Sequence, residues 1–366
     1  MPRDIDSHKI YTDYPKILDI LLYDNTTKKN IIWATDHYAN KGFGYLITSE
    51  IKPSHLIGRV KTIRPRIEKS KTEQIKRSKN NAEVFTPSWI VNKQNNLTDE
   101  AWFGEKNKFN IENDDNTWIV TDRVYFSTDK KWQDYVNDIR LEVCCGEAPY
   151  LVSRYDTVNG LKIMTKDRVG LLDRKFRIIN ENALSDEEWI EYAIKAIKSI
   201  YGYEFQGDNL FIARENVFLD FLDYYLERFN RMPEEKLLME IATIISWNLW
   251  QMDGIKLVAL NDEKYQKFGF NREVVYWGIC LDAKNDSFKD YTFHDEIKKT
   301  NAGNVEKKQE WFTDIPTDEL IDIFNSLRHK DENKEIYTPR KEQQECINAM
   351  KNYFNKNPNG RFLMHL

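Results

Sequence analysis

Two short stretches carry residues suited to holding a nucleoside. Arg140–Leu151 reads RLEVCCGEAPYL, an apolar strand-like run with Glu142 inside it, Gly146 at a turn, then the small Ala148 and turn-forming Pro149. Tyr201–Asn216 reads YGYEFQGDNLFIAREN, where Glu204 closes an apolar run immediately before a helix. A nucleoside needs a tight turn after a strand, so that backbone can approach it closely, and a carboxylate on the next strand to accept from the ribose hydroxyls. Both are present in that order. Each alone is a weak signal, because a glycine turn after a strand occurs in many folds and an acid at a helix start is often only a favourable dipole partner.

The elements around these stretches alternate. Arg140–Cys145 is expected as a short buried strand, and Trp189–Ser199 as an amphipathic helix, with Trp189, Tyr192, Ala193 and Ala196 at i, i+3, i+4 and i+7. A second strand follows over Ser199–Glu204, then a helix through Asn209–Phe229, and Pro233 opens another over Glu234–Trp250. Strand, helix, strand, helix predicts an α/β fold with a parallel sheet, whose ligands sit beyond the carboxyl ends of the strands. Upstream, Tyr11–Ile51 combines a helical pattern (YPKILDILLYD) with a strand-like run (KNIIWATD), a small α+β region ahead of the main fold. Between Asp99 and Trp132 the pattern is irregular, Trp118–Phe126 being the best strand or hairpin. After Ile255 short strands (REVVYWGICLD) and polar loops give way to helices over Glu319–Leu327 and Lys341–Phe354.

Composition narrows the class. A chain of 366 residues, 41% hydrophobic, can bury one large core or two modest ones. No apolar run approaches the roughly 18 residues that a membrane helix needs, and Met1–Lys9 is polar, so no membrane partner is expected. Of the four cysteines, Cys144 and Cys145 are adjacent and Cys280 and Cys346 are isolated, which suggests neither a disulfide framework nor a zinc knuckle and fits a reducing cytoplasm. Net charge is −5, yet Lys52–Lys79 carries ten Lys or Arg against two Glu. Arg59, Lys61, Arg64, Arg66, Lys76 and Arg77 are the candidate contacts to nucleic-acid phosphates, and a solvated helix face would give the same count.

Over roughly Ala82–Phe218 the chain resembles N6-adenine DNA methyltransferases in which a Phe-Thr-Pro element precedes the cofactor loop. AEVFTP at Ala82–Pro87 looks like that element, LEVCCGEAPYL like the acidic-Pro-Ala-Cys-Gly-Ser-Gly-x-Phe-Leu loop, and IYGYEFQGDNLFIARENVF like the second-strand element. The resemblance implies a Rossmann-like parallel-sheet methyltransferase core with helices on both faces and an S-adenosylmethionine cofactor. It places cofactor contacts at Phe85, Thr86, Pro87, Glu142, Cys145, Gly146, Glu147, Ala148 and Tyr150, and carries the ribose-binding acid onto Glu204. In the family, Phe-Thr-Pro packs against the methionine part of the cofactor. The chain departs from the pattern in two places: Ala148 stands where the loop has its later glycine, and far more residues separate the loop from Glu204 than the ~30 of a simple βαβ unit, so an insertion around Val158–Asn182 is expected.

Family members also carry an Asn/Asp/Ser-Pro-Pro-Tyr/Phe tetrapeptide that receives the flipped adenine. No Pro-Pro dipeptide occurs in this chain; by order the nearest stretch is SWNLWQMDG, Ser246–Gly254, where Asn248, Trp250 and Asp253 offer amide, ring and carboxylate. A buried helix end would give the same pattern. At the far end, EIYTPRKEQQECINAMKNYFNKNPNGRFLMHL looks like the lead-in to a superfamily-2 helicase motor, without that family's Gly-Lys-Thr/Ser loop. Helicase activity is therefore not expected of these residues, and the resemblance suggests the front portion of a longer polypeptide or a truncated relative. The expected organisation is an N-terminal region with the basic segment (1–80), a methyltransferase-like core (81–260), an irregular α+β region (261–335) and a helical tail (336–366). The expected partners are double-stranded DNA and restriction or helicase subunits.

Overall fold

Arg140–Val143 forms the first strand of a central sheet, and Ile200–Glu204 and Leu249–Asp253 follow beside it in chain order, all three parallel. The computed structural model describes residues 7–25, 27–56, 62–81, 83, 85–253, 258–260, 277–278, 291–292 and 363–364. All of Ile200–Glu204 is buried. A parallel strand covered on both faces has no polar side to alternate with, which is why IYGYE reads as a nearly continuous apolar run. Val258–Ala259 adds antiparallel to the third strand, and Leu363–Met364 adds parallel to the first, on the side away from the second. The fold is mixed α/β, as its alternating elements predict.

Helices Leu171–Asn182 and Asp186–Lys198 connect the first strand to the second, and Gly207–Phe229 and Glu235–Asn248 connect the second to the third. Asp186–Lys198 begins where the Ser185 hydroxyl accepts from the Glu188 amide (3.1 Å). Its acids lie in the first turn and Lys195 and Lys198 in the last, complementing the helix dipole at both ends. The stretch around Val158–Asn182, where an insertion is expected, holds an irregular segment with a single 3-10 turn at Thr165–Asp167 and then the helix Leu171–Asn182.

Gly207–Phe229 runs 23 residues and is buried along most of its length. Among the described residues no helix is long and apolar enough to cross a membrane. Arg214, fully buried in this helix, donates to the carbonyls of Leu21 (2.7 Å), Tyr23 (3.0 Å), Ser246 (3.1 Å) and Leu249 (2.7 Å). Burial lowers its pKa to about 10, so it remains a cation at neutral pH. One side chain thereby ties an N-terminal helix, Pro15–Leu22, to the start of the third strand. Ile17, Leu18, Leu21 and Leu22 of that helix share one apolar cluster with Ile241 and Ile245, and Tyr11 donates to Glu215 (3.1 Å). The N-terminal region contains the expected α+β elements, with a small hairpin at Tyr23–Asp24 and Lys29–Asn30, but its side chains are built into the main core.

The segment after that hairpin runs past the carboxyl ends of the strands. The Gln251 amide donates to Ile32 O (2.7 Å) and Phe205 O (3.0 Å) and accepts from Ile32 N (2.8 Å), while Gly207 N donates to Trp33 O (3.0 Å). Backbone passes so near Gly207 that a Cβ there would lie 1.9 Å from Ile32 O.

Two expectations change. The helix expected to run to Trp250 stops at Asn248, and Leu249–Trp250 instead open the third strand, Leu249–Asp253. Trp118–Val120 does pair as a hairpin, with Asn110–Glu112, but a 16-residue helix over Ser88–Phe103 precedes it that no apolar periodicity announces. The helices expected over Glu319–Leu327 and Lys341–Phe354, the strands of REVVYWGICLD, Cys280 and Cys346 lie outside the described residues.

Candidate functional site

Beyond Val143 the backbone enters the left-handed region at alternate residues: Cys144 (φ 57°), Gly146 (φ 54°) and Ala148 (φ 62°). Glycine adopts this without strain; a side-chain-bearing residue pays about 1 kcal/mol or more. Such backbone persists only where its surroundings over-determine it. Here Cys145 N donates to Tyr203 O (2.8 Å), Ala148 N to Cys145 O (2.6 Å) and Gly146 N to the carboxylate of Glu204 (2.9 Å). The second oxygen of Glu204 accepts from Gln206 N (2.9 Å). The acid of the second strand therefore grips the glycine of the first strand's loop.

Phe85 closes the other side of that glycine, its ring 3.7 Å from where a Gly146 Cβ would stand. Thr86 is held through its carbonyl, which accepts from Thr157 Oγ1 (2.9 Å), and Pro87 precedes the Ser88–Phe103 helix, whose first amide donates to Asp156 (2.7 Å). The Tyr150 carbonyl accepts from Asn95 Nδ2 (3.1 Å), and its hydroxyl donates to the side chain of Gln94. Phe85, Thr86, Glu142, Cys145, Gly146, Glu147, Ala148, Tyr150 and Glu204, distant in sequence, are thus gathered at the carboxyl ends of the first two strands.

Burial dominates the electrostatics. It raises the Glu204 pKa to about 7, against the pull of the Gln206 and Gly146 amides. Glu142, with no exposed surface, is pushed well above the usual carboxylate range by desolvation, only partly offset by the amides of Tyr150 and Leu151. One of its oxygens accepts from Leu151 N (3.2 Å); the other is buried without a donor. Glu147 is also raised by burial, and both its oxygens are engaged, accepting from Arg66 N and the Tyr155 hydroxyl (2.6 Å each). Burial likewise pushes the Cys145 thiol up, away from the thiolate needed for nucleophilic chemistry.

The residues offered for catalysis do not converge. Asn248 is fully buried and donates from Nδ2 to the carbonyls of Ile197 (3.2 Å), Lys198 (3.1 Å) and Ile200 (3.1 Å), which pins the turn entering the second strand. Trp250 lies in the third strand, stacked on Tyr203 with ring centroids 6.4 Å apart and its Nε1 buried without an acceptor. Asp253 ends the same strand, roughly 16 Å of extended chain from Asn248. Amide and carboxylate stand at opposite ends of the sheet, so SWNLWQMDG does not assemble the tetrapeptide's site. Asn248→Ala is expected to cost about 2 kcal/mol of stability while leaving ligand affinity at the Gly146 loop within twofold. Urea unfolding and calorimetry read the two; unchanged stability with lost affinity would refute the structural role.

The basic stretch divides in the same way. Arg77 has no exposed surface and pairs with Glu83 (2.7 Å) and Asp208 (2.8 Å), so it does not present the phosphate contact expected of it. Lys69 (3.5 Å) and the Tyr38 hydroxyl (2.9 Å) complete the cluster on Asp208. Burial opposes the Asp208 charge, but Arg77 and Lys69 overcome it and hold the carboxyl below its usual range. Arg66 is half-buried, its guanidinium 5.0 Å over the Phe85 ring. Arg64, paired with Glu73 (3.7 Å), and Lys76 face outward; Arg59 and Lys61 lie outside the described residues. Nothing in the local sequence separates the inward cations from the outward ones, because Asp208, which draws two of them in, is far along the chain.

No family model and no solved structure matches this chain. Over 34 residues it is 65% identical to a protein of Mycoplasma pneumoniae (strain ATCC 29342 / M129) described as the C-terminus of a type II restriction enzyme and methyltransferase. That stretch is 9% of this chain and 5% of the relative, so the chain spans a small part of the protein it matches. The similarity links a segment of the chain to a restriction-modification protein.

Proposed function

We propose that this chain is an S-adenosylmethionine-binding, adenine-specific DNA methyltransferase-like subunit of a restriction-modification or phage-defence system, built on a Rossmann-like core. The observation that carries the reading is the bond from Gly146 N to Glu204, which joins the turn of one parallel strand to the acid of the next (2.9 Å). A ribose at this place would take over the carboxylate from the loop amide. Strand order supports the same location. The chain proceeds from the first strand to the second and third, whereas Leu363–Met364 lies on the first strand's other side, so the order reverses at the first strand, above which Cys144–Ala148 sits. Crevices at such reversals are where open α/β sheets hold ligands.

The donor set fits the cofactor. Glu204 suits the ribose hydroxyls, the donorless oxygen of Glu142 suits an ammonium group, and Phe85 supplies an apolar wall beside the glycine. When bound, the cofactor supplies an electrophilic methyl group; the chain's own residues orient it and exclude water. Double-stranded DNA is the partner this reading requires, and the matched relative, described as a restriction enzyme and methyltransferase, favours that setting.

A second reading, a DNA-binding or scaffold module that keeps the fold without turnover, is favoured by the saturated amide of Asn248 and the missing Pro-Pro element. Transfer of labelled methyl groups from S-adenosylmethionine onto unmodified duplex DNA separates the two. Incorporation into adenine supports the enzyme and excludes the inert module. Binding of S-adenosylhomocysteine without incorporation supports the module, and no binding of either cofactor form defeats the methyltransferase reading.

A further inference from the structure

Arg66 stands in an unusual position for a half-buried cation. Its backbone is fixed, N donating to Glu147 (2.6 Å) and O accepting from Gln74 Nε2 (3.0 Å). Its guanidinium lies 5.0 Å over the Phe85 ring, yet it makes no hydrogen bond or ion pair among the described residues, and its Nε is buried without an acceptor. The buried arginines, by contrast, are ion-paired or bonded to carbonyls: Arg77 to Glu83 and Asp208, Arg140 to Asp138, Arg168 to Asp220 and Asp223, Arg174 to Asp99, Arg214 to four carbonyls. A guanidinium pre-set against an aromatic face with its donors unspent matches a planar anion, a carboxylate above all, because both of its parallel N–H groups can be used at once.

Position says which end of a ligand would meet it. Glu204 and Phe85 lie on two sides of Gly146, one bonded to its amide and the other packed where its Cβ would be. A ligand that crosses the glycine with its hydroxyls on Glu204 turns its far end toward Phe85, and so toward Arg66. We propose that Arg66 anchors the carboxylate of the amino-acid end of the ligand. This rests on the assignment of the Gly146 loop to S-adenosylmethionine and adds a residue from the basic segment to that site. In the alternative, Arg66 merely offsets the charges of Glu83 and Glu147 and contacts no ligand.

Two probes divide these cases. S-adenosylhomocysteine carries the amino-acid end; 5′-methylthioadenosine has the same nucleoside and thioether without it. Calorimetry on the whole chain should give tighter binding of the first. In Arg66→Ala its affinity should fall about ten- to a hundredfold, as for loss of a charge-assisted pair, while that of 5′-methylthioadenosine changes less than twofold. Arg66→Gln, which keeps a planar polar group on Phe85 without the charge, should show the same selective loss even if the alanine variant folds poorly. Equal weakening of both ligands, or none of either, overturns the role of Arg66 while leaving the loop assignment standing. Failure of the unaltered chain to bind either probe overturns the loop assignment and this proposal with it.

Discussion

Gly207→Ala is expected to cost about 3 kcal/mol or more, enough to leave a protein of ordinary stability largely unfolded at moderate temperature. The added Cβ would lie 1.9 Å from Ile32 O and 3.0 Å from Ile51 Cδ1, and the first of these is backbone, which cannot swing aside as a side chain could. Relief requires the 31–33 segment to retreat. That retreat breaks the bond from Gly207 N to Trp33 O (3.0 Å) and those by which Gln251 ties Ile32 to the third strand (2.7 and 2.8 Å). Urea unfolding followed by tryptophan fluorescence measures the loss, Trp33 being fully buried. A change below about 1 kcal/mol would show that the segment yields easily and that its packing against the helix start is not a constraint.

Glu204→Ala is expected to reduce affinity for S-adenosylhomocysteine by about a hundredfold, the effect of losing two charge-assisted hydrogen bonds to ribose hydroxyls. It also frees Gly146 N, so part of the loss would come from a loosened loop. The pH dependence separates the parts. Burial raises the Glu204 pKa to about 7, so the fold favours its protonated form. Its contribution to stability is therefore complete below the ordinary carboxylate range and is lost as pH rises through about 7. Binding runs the other way, because hydroxyl donors need the ionised acid: affinity should climb up to about tenfold per unit as pH rises toward 7 and then level. Glu204→Gln should flatten that profile. Titration calorimetry between about pH 5 and about pH 9 reads it, and an unaltered slope in the glutamine variant would assign the proton to another group.

Legibility in the sequence followed the physics of each element. The first two strands were readable to within two residues, because parallel strands buried on both faces appear as short apolar runs. The third strand was hidden because LWQMD follows Asn248 with neither glycine nor proline to mark the change from helix to strand. Ser88–Phe103 was hidden for a different reason. Its inward face is largely polar, with Ile90, Val91 and Phe103 among Ser88, Asn92, Asn95, Thr98 and Asp99: Asn92 exchanges amide bonds with Asn110 (2.9 and 2.7 Å), and Asp99 takes Arg174 and the Tyr135 hydroxyl (2.7 Å), so apolar periodicity is too sparse to mark the helix. At the candidate site, residue types indicated the loop, but not that Glu204 reaches Gly146 or that Arg66 covers Phe85. The first pairing joins residues 58 positions apart at the ends of adjacent strands, and the second depends on the bond by which Glu147, in the loop after the first strand, holds the Arg66 backbone.

The partnering of Leu363 with Glu142 also sets a timetable. The two residues are separated by roughly 220 positions, so at about 5–20 residues per second the first strand leaves the ribosome tens of seconds before its outer neighbour is made. Arg214, which closes the N-terminal helix onto the sheet, trails Leu21 by a comparable interval. Throughout that time one side of the first strand is an open edge, a template for pairing with another nascent chain. The yield of folded protein should thus depend on translation rate and on chaperones that shield Arg140–Val143 during synthesis.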